Sequence, residues 1–208
     1  MKWQPFIELR IPKMRKLILQ MQISVDGFVG ADGDDDWQIW NWGNDNRWDD
    51  ALKLDFNTHF RAIDTILLSR KMVEQGYLSH WGNAATRYPQ DPFYAFAQRV
   101  VDMQKVVPSD RLEKSRWERT VVTSGDLPRE VGALKAEAGN HIAVFGGAGF
   151  ASALIAAGLV DEFQFYVNPA ALGGGTRIFD HTGFRKLRLF GSKAYECGIV
   201  VNRYTPAA

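Results

Sequence analysis

Residues Ile142–Phe179 read IAVFGGAGFASALIAAGLVDEFQFYVNPAALGGGTRIF. With the two residues before it, the segment opens on an apolar run, Asn140 to Phe145, of the kind expected for a strand covered on both faces. That run passes directly into Gly146-Gly147-Ala148-Gly149. Glycines at such a turn let backbone amides approach a ligand closely, and a helix starting there offers its positive end to a phosphate. The same glycines can serve tight packing alone, so the turn by itself carries both readings. Phe150, Ala153, Leu154 and Ala157 then share one helical face, Gly158 is placed to end the helix, and Asp161-Glu162 to begin the next turn. Phe163 to Val167 is the strand that follows. The glycines are not spaced G-x-G-x-x-G, the strand lies late in the chain, and no Walker loop is present. A nucleotide-binding α/β fold other than the ordinary Rossmann type is therefore expected.

Working outward, Lys16 to Gly30 (KLILQMQISVDGFVG) is a strand with a turn signal at Asp26-Gly27, followed by a polar loop from Ala31 to Asp36. From Arg47 to Ile63 the residues Trp48, Leu52, Phe56, Phe60 and Ile63 recur at helical spacing. Asp64 to Ser69 (DTILLS) is a buried strand entering a helix at Arg70-Lys71. Trp81 to Pro92 reads as loop, Phe93 to Val101 as a short helix, and Lys105 to Val107 as a strand ended by Pro108. Thr120 to Thr123 is a strand and Leu127 to Ala138 a helix; Leu187 to Phe190 and Cys197 to Tyr204 are terminal strands that pair as a hairpin or neighbours. Alternation over most of the chain predicts the α/β class, with a mostly parallel central sheet and an antiparallel C-terminal edge.

Composition narrows the function. The 208 residues suit one domain, assigned to 14–208, with residues 1–13, which hold Pro5 and Pro12, read as an extension ahead of Met14. A formal charge of +1 with acids and bases interspersed offers no footprint for nucleic acid or an anionic membrane. No apolar run approaches the ~20 residues of a membrane span. Cys197 is the single cysteine, which excludes an internal disulfide framework and agrees with a reducing, cytoplasmic compartment. His59, His80, His141 and His181 show no paired ligand spacing, and there is no Gly-x-Ser-x-Gly elbow, so metal and serine hydrolase chemistry are disfavoured. The acidic run Asp32 to Asp36 lacks a calcium loop's glycine, whose place Trp37 takes. Trp37, Trp40, Trp42 and Trp48 could stack on a flat heterocycle or form a small core of their own.

Three stretches in this order, ISVDGFVG (Ile23 to Gly30), DTILLSRKMVE (Asp64 to Glu74) and Ile142 to Phe179, resemble the dihydrofolate reductase superfamily, in particular its riboflavin-biosynthesis reductase branch, the RibD C-terminal domain family. The resemblance implies a dihydrofolate reductase-like three-layer α/β/α fold and NADPH as cofactor. It implies hydride transfer to a small heterocyclic or ribosyl substrate, as in reduction of 5-amino-6-(5-phosphoribosylamino)uracil. The alternatives are dihydrofolate reductase activity, or a non-catalytic nucleotide-binding protein of the same fold. It further implies that the nicotinamide lies against Gln22 and the loop holding Asp26, Gly27 and Gly30; that Ser69, Arg70, Lys71, Gly146, Gly147, Ala148 and Gly149 take the cofactor phosphates; and that Ser109 and Arg111 take the 2′-phosphate. The family turn Gly-Arg-x-Thr stands here as Ser69-Arg70-Lys71-Met72, without the threonine hydroxyl. Asp55, on the first helix, is the candidate for the carboxylate that promotes substrate protonation, set against the plainer reading of a solvent-directed acid. Asp26-Gly27 and Pro108-Ser109-Asp110 can also be simple turns. No nucleic acid or membrane partner is expected; a homodimer through terminal strands such as Cys197 to Tyr204 is.

Overall fold

The computed structural model describes residues 14–32, 37–38 and 47–207, so the expectations placed on 1–13, on Gly33 to Asp36 and on Trp40 and Trp42 lie outside the described residues. The chain begins with β1 (Leu17–Ile23), then α1 (Asp50–Phe60), β2 (Ile63–Leu68), α2 (Arg70–Glu74), α3 (Tyr77–Arg87) and, after a single turn at Pro92–Tyr94, α4 (Ala95–Asp102). It continues with β3 (Gln104–Pro108), β4 (Thr120–Thr123), α5 (Leu127–Ala136), β5 (His141–Phe145), α6 (Ala148–Ala156), β6 (Glu162–Val167), β7 (Leu187–Ala194) and β8 (Val200–Pro206).

These eight strands make one sheet in the order β4-β3-β2-β5-β1-β6-β8-β7. β1 to β6 are mutually parallel, whereas β8 is antiparallel to both β6 and β7. Strands covered on both faces need apolar side chains pointing both ways, which is why LILQMQI and HIAVF read as nearly continuous apolar runs. One face carries Leu17, Leu19, Leu67, Ile142, Val144, Phe163 and Phe165, packed on Val131 and Leu134 of α5 and on Leu154 and Ile155 of α6. The other carries Ile66, Leu68 and Ala143, packed on Phe60 of α1, Tyr77 and Trp81 of α3, and Phe96, Ala97 and Val100 of α4. Each fully buried side chain of this size contributes about 1.5–3 kcal/mol relative to exposure. The result is the expected three-layer α/β/α arrangement.

Several boundaries differ from expectation: α1 is shorter than Arg47 to Ile63, and Ile63 opens β2 instead. Most of the expected loop Trp81 to Pro92 is helix: Tyr77, Trp81 and Ala85 recur every fourth residue and are buried, and this tertiary burial overrides the weak helix preference of Gly82 and Asn83. Glu162 does not open a turn but starts β6, buried. β7 runs four residues past Phe190, through a register shift between Leu189 and Gly191. β8 begins only at Val200, because Tyr195 to Ile199 form the tight turn, with Gly198 at φ +91°. The free edge expected at Cys197 to Tyr204 therefore belongs to β7, since β8 is paired on both sides.

Candidate active site

Because β1, β2, β3, β5 and β6 all point the same way, the segments that leave them gather at one edge of the sheet, where ligands of open α/β sheets are held. The two strand-to-helix turns singled out in the sequence meet there. Ser69 donates its amide to the Phe145 carbonyl at 3.1 Å, and its Oγ caps α2 by accepting from the Met72 amide at 3.2 Å. A Cβ on Gly146 would lie 3.1 Å from the Ser69 Cβ and 2.6 Å from a Phe150 ring carbon, so the glycine is required by this contact. Gly147 is the N-cap of α6 and closes it with no side chain; a Cβ there, or on Gly149, would meet nothing within 4 Å. The start of α6 is thus an open backbone cradle, suited in shape and polarity to a phosphate. Arg70 reaches back to pair with Glu74 on its own helix, and Lys71 is exposed.

The loop after β1 is held by Asp26. Its carboxylate accepts from the Ser24 hydroxyl at 2.6 Å, the Gly173 amide at 2.7 Å and the Leu172 amide at 3.1 Å, clamping the turn at Gly27 (φ +86°) to the loop that follows β6. The Ser24 hydrogen bond first, then the Gly173 amide, lowers the Asp26 pKa to about 2. Gly30 bridges Thr176, and Gly175 must be glycine, because a Cβ on it would sit 2.1 Å from the Gly30 carbonyl oxygen. Asp26 and Gly30 therefore tie the loop after β1 to the loop that follows β6. Ser109 and Arg111 stand at the exit of β3, with the Arg111 amide donating to Ser109 Oγ at 3.1 Å; Asp110 between them accepts from the Gly125 amide at 2.7 Å and ties the exits of β3 and β4 together.

Beside the Gly146 turn, between the sheet and α1 to α4, lies a cavity of about 250 Å3. Gln20, Met21 and Gln22 of β1 form part of its floor with Phe145 and Tyr166, and Trp48, Phe56, Met72, Tyr77 and Phe96 enclose it. Trp48 is stacked on Tyr166, centroids 5.2 Å apart and planes within 4°, and meets Phe56 edge-on. Of the described tryptophans of the early cluster it is Trp48 that faces the cavity, as part of a small core with Leu52, Tyr166, Ile199 and Val201. Among the described lining residues there is no carboxylate, histidine or amine. Tyr166 and Tyr77 stay neutral, because burial raises both phenols well above their usual pKa.

Asp55 is not brought into this cavity. Its neighbour Phe56 points in, whereas Asp55 faces the other way, pairing with Lys193 and accepting from the Tyr195 hydroxyl at 2.9 Å. The Lys193 hydrogen bond first, and then that of Tyr195, hold its carboxyl below the usual range against the opposing effect of burial. The protonation role expected for Asp55 is corrected accordingly: helical spacing places it beside the stripe but on the side turned to β7. Asp49 caps α1 by accepting from the Leu52 amide at 2.8 Å and also takes the Cys197 amide at 2.9 Å.

Sequence reasoning missed Gln20, Phe145, Tyr166 and, apart from Trp48, the aromatic side chains that enclose the cavity. A signal was there: a glutamine inside an otherwise apolar strand is the informative kind of residue. Among the described residues there is no group of three or more acids, histidines or cysteines placed to hold a metal, and no helix long and apolar enough to cross a membrane.

A mostly parallel sheet sandwiched by helices, with glycine and serine turns assembled at its carboxyl edge over an aromatic cavity, defines an α/β protein with the dihydrofolate reductase-like fold. The model of the RibD C-terminal domain matches residues 15–201, and the chain belongs to that family. It is 26% identical over 190 residues to the uncharacterized protein YyaP of Bacillus subtilis (strain 168), covering 90% of this chain and 93% of that one. Among solved structures it resembles the Thermotoga maritima diaminohydroxyphosphoribosylaminopyrimidine deaminase/5-amino-6-(5-phosphoribosylamino)uracil reductase, with TM-score 0.60 and 13% identity over 93% of this chain but 57% of that chain. It also resembles Enterococcus faecalis dihydrofolate reductase complexed with NADP(H), with TM-score 0.56 and 14% identity, covering 93% and 97% of the two chains.

Proposed function

We propose that this chain is an NADPH-dependent reductase of the RibD C-terminal type, reducing a small heterocyclic or ribosyl-linked substrate in the cytoplasm. The observation that carries the reading is the contact between the Ser69 and Gly146 turns at the carboxyl edge, next to the aromatic cavity. Gly146, Gly147, Ala148 and Gly149, with Ser69, Arg70 and Lys71, would hold the cofactor diphosphate through backbone amides and charge. Ser109 and Arg111 would hold the 2′-phosphate, and Gln22 with the Asp26 to Gly30 loop would face the nicotinamide. Bound there, NADPH supplies a hydride. The chain's own part is to hold the acceptor ring flat against Trp48, Phe56 and Tyr166, to exclude water, and to fix the approach of the two partners. A solved relative that is described as complexed with NADP(H) and another described as a reductase support this reading.

The test is direct. NADPH at about a hundred times its Kd raises the stability of the folded chain by about 2.7 kcal/mol, visible as a higher midpoint in thermal unfolding. No shift and no change in tryptophan fluorescence at millimolar NADPH or NADP+ sinks the proposal. With binding established, loss of reduced-nicotinamide absorbance against 5-amino-6-(5-phosphoribosylamino)uracil and against dihydrofolate decides between those substrates. A second reading, nucleotide binding without turnover, is favoured by one observation: no carboxylate, histidine or amine stands in the cavity among the described residues to deliver a proton. Binding without oxidation of NADPH by any flat heterocycle is its signature.

A further inference from the structure

Three neighbouring strands set side chains in one row. Register pairs Gln20 of β1 with Gln164 of β6, and Gln164 with Arg203 of β8; Glu162 lies two residues back on the same face. Gln20, Gln164 and Glu162 are only 7%, 3% and 2% exposed. They bond in series. Gln20 Nε2 donates to Gln164 Oε1 at 2.8 Å, Gln164 Nε2 donates to Glu162 Oε1 at 2.8 Å, and Arg203 Nη2 and Lys16 Nζ donate to the Glu162 carboxylate at 2.9 and 3.3 Å.

Chemistry fixes the direction of this series. Burial is the largest influence on Glu162 and would raise its pKa, but the hydrogen bonds from Gln164 and Arg203 outweigh it and keep the carboxyl ionised. An ionised carboxylate only accepts, so Gln164 must turn its nitrogen to Glu162 and its oxygen to Gln20, and Gln20 must turn its nitrogen to Gln164. The atom left at the end of the row is Gln20 Oε1, a buried acceptor with no hydrogen-bond partner among the described residues, on a side chain that lines the aromatic cavity. Buried acceptors are almost always satisfied, so this one points to a missing donor.

On the reading of this cavity as the substrate site, we infer that it takes an uncharged planar ring bearing an N–H donor, a lactam or amidine, and that Gln20 Oε1 accepts that hydrogen. Gln164 and Glu162 are positioning residues: they hold the Gln20 carbonyl toward the ring without touching it. With the start of α6 taken by the cofactor phosphate, an anionic ring would find no cationic side chain among the described lining residues to offset its charge, and burying an unpaired charge is strongly unfavourable. A phosphate carried by the substrate must then lie outside the cavity.

Titration of the full chain, saturated with NADPH, with two lactams, 2-quinolone and 1-isoquinolone, and with their N-methyl derivatives tests this. Wild type should bind the N–H lactams about tenfold or more tighter than the N-methyl rings, a difference of about 1.4 kcal/mol. Gln20→Leu should erase the difference, and the loss from methylation and the loss from the substitution should not add. Glu162→Gln, remote from the carboxyl edge, frees the row to reverse; it should level the discrimination while NADPH affinity stays that of wild type. Quinoline-2-carboxylate should fail to bind. Equal affinity for N–H and N-methyl rings, or failure of both lactams to bind the NADPH complex, overturns the inference. Failure of NADPH itself to bind is a separate result and overturns the reductase reading.

Discussion

At the scale of single residues, Asp26 and Asp55 make opposite points about carboxylates. Asp26 was legible as part of a turn, but its work is done on backbone amides of a loop some 146 positions away in sequence, which no local pattern reveals. Its folded pKa, lowered to about 2, lies below that of the unfolded chain, near 3.9. The stabilisation it provides is therefore complete above the unfolded value and is lost as the pH falls from about 4 through about 2. Asp26→Asn should flatten that part of the stability profile and speed amide exchange at Leu172 and Gly173; an unchanged acid limb would show that the clamp does not form in solution. The family resemblance called for a protonating carboxylate on the first helix, and Asp55 suited it because it flanks a buried stripe, yet it is turned to Lys193 and Tyr195. A partly exposed pair of this kind is worth at most about 1 kcal/mol. Asp55→Asn should thus leave NADPH oxidation within a few-fold of wild type, whereas a hundredfold fall, the scale of general acid catalysis, would restore it to the chemistry.

At the scale of elements, the strands were legible because both-face burial leaves continuous apolar runs, and the mostly parallel sheet with its antiparallel edge followed from alternation with helices. What stayed hidden depends on partners distant in sequence. α3 from Trp81 onward was read as loop since Gly82 and Asn83 mask the fourfold spacing of Tyr77, Trp81 and Ala85. The Gln20 to Gln164 pair could not be foreseen, since the register of β1 against β6 is a product of the sheet. The Gly146 turn was visible as a motif, but the reason for each glycine was not, and the two differ. Gly146→Ala drives a methyl group into Phe150 and Ser69, and overpacking of this kind costs about 1–3 kcal/mol. Gly147→Ala meets open space at a backbone angle any residue accepts, φ −71°. Urea unfolding should show the first variant destabilised and the second close to wild type, while NADPH titration should show both weakened, Gly147→Ala because its methyl group stands where the phosphate approaches. Undiminished NADPH binding by Gly147→Ala would remove this turn from the cofactor site.

At the scale of the molecule, the antiparallel end of the sheet decides how copies of the chain can meet. β7 is the free edge at this end, and unpaired strand edges invite association. Its register shift at Leu189 and Gly191 and its basic residues Arg188 and Lys193 oppose continuation of the sheet into a second copy. Its apolar side chains favour packing instead: Leu189 is 52% and Phe190 43% exposed, and Phe184, just before the strand, is 94% exposed. We propose that the chain forms a homodimer through the outer surface of β7 rather than through a shared sheet. A stable interface covers about 800 Å2 on each partner, more than three side chains provide, so the segment from Phe179 to β7 must join it around Phe184. Light scattering during size-exclusion chromatography should give twice the chain mass for wild type and the single mass for Phe190→Asp and Phe184→Asp. Phe184 is almost fully exposed, so Phe184→Asp should keep the wild-type unfolding midpoint at low protein concentration, whereas Phe190→Asp also loses the packing of its ring on the Arg203 guanidinium. The free edge is separated from β1 by two strands, β6 and β8, and stands farther from the Gly146 turn, so the monomeric variants should also bind NADPH with wild-type affinity. A wild-type chain that elutes with the single mass at micromolar concentration ends the dimer proposal and leaves the apolar patch to some other partner.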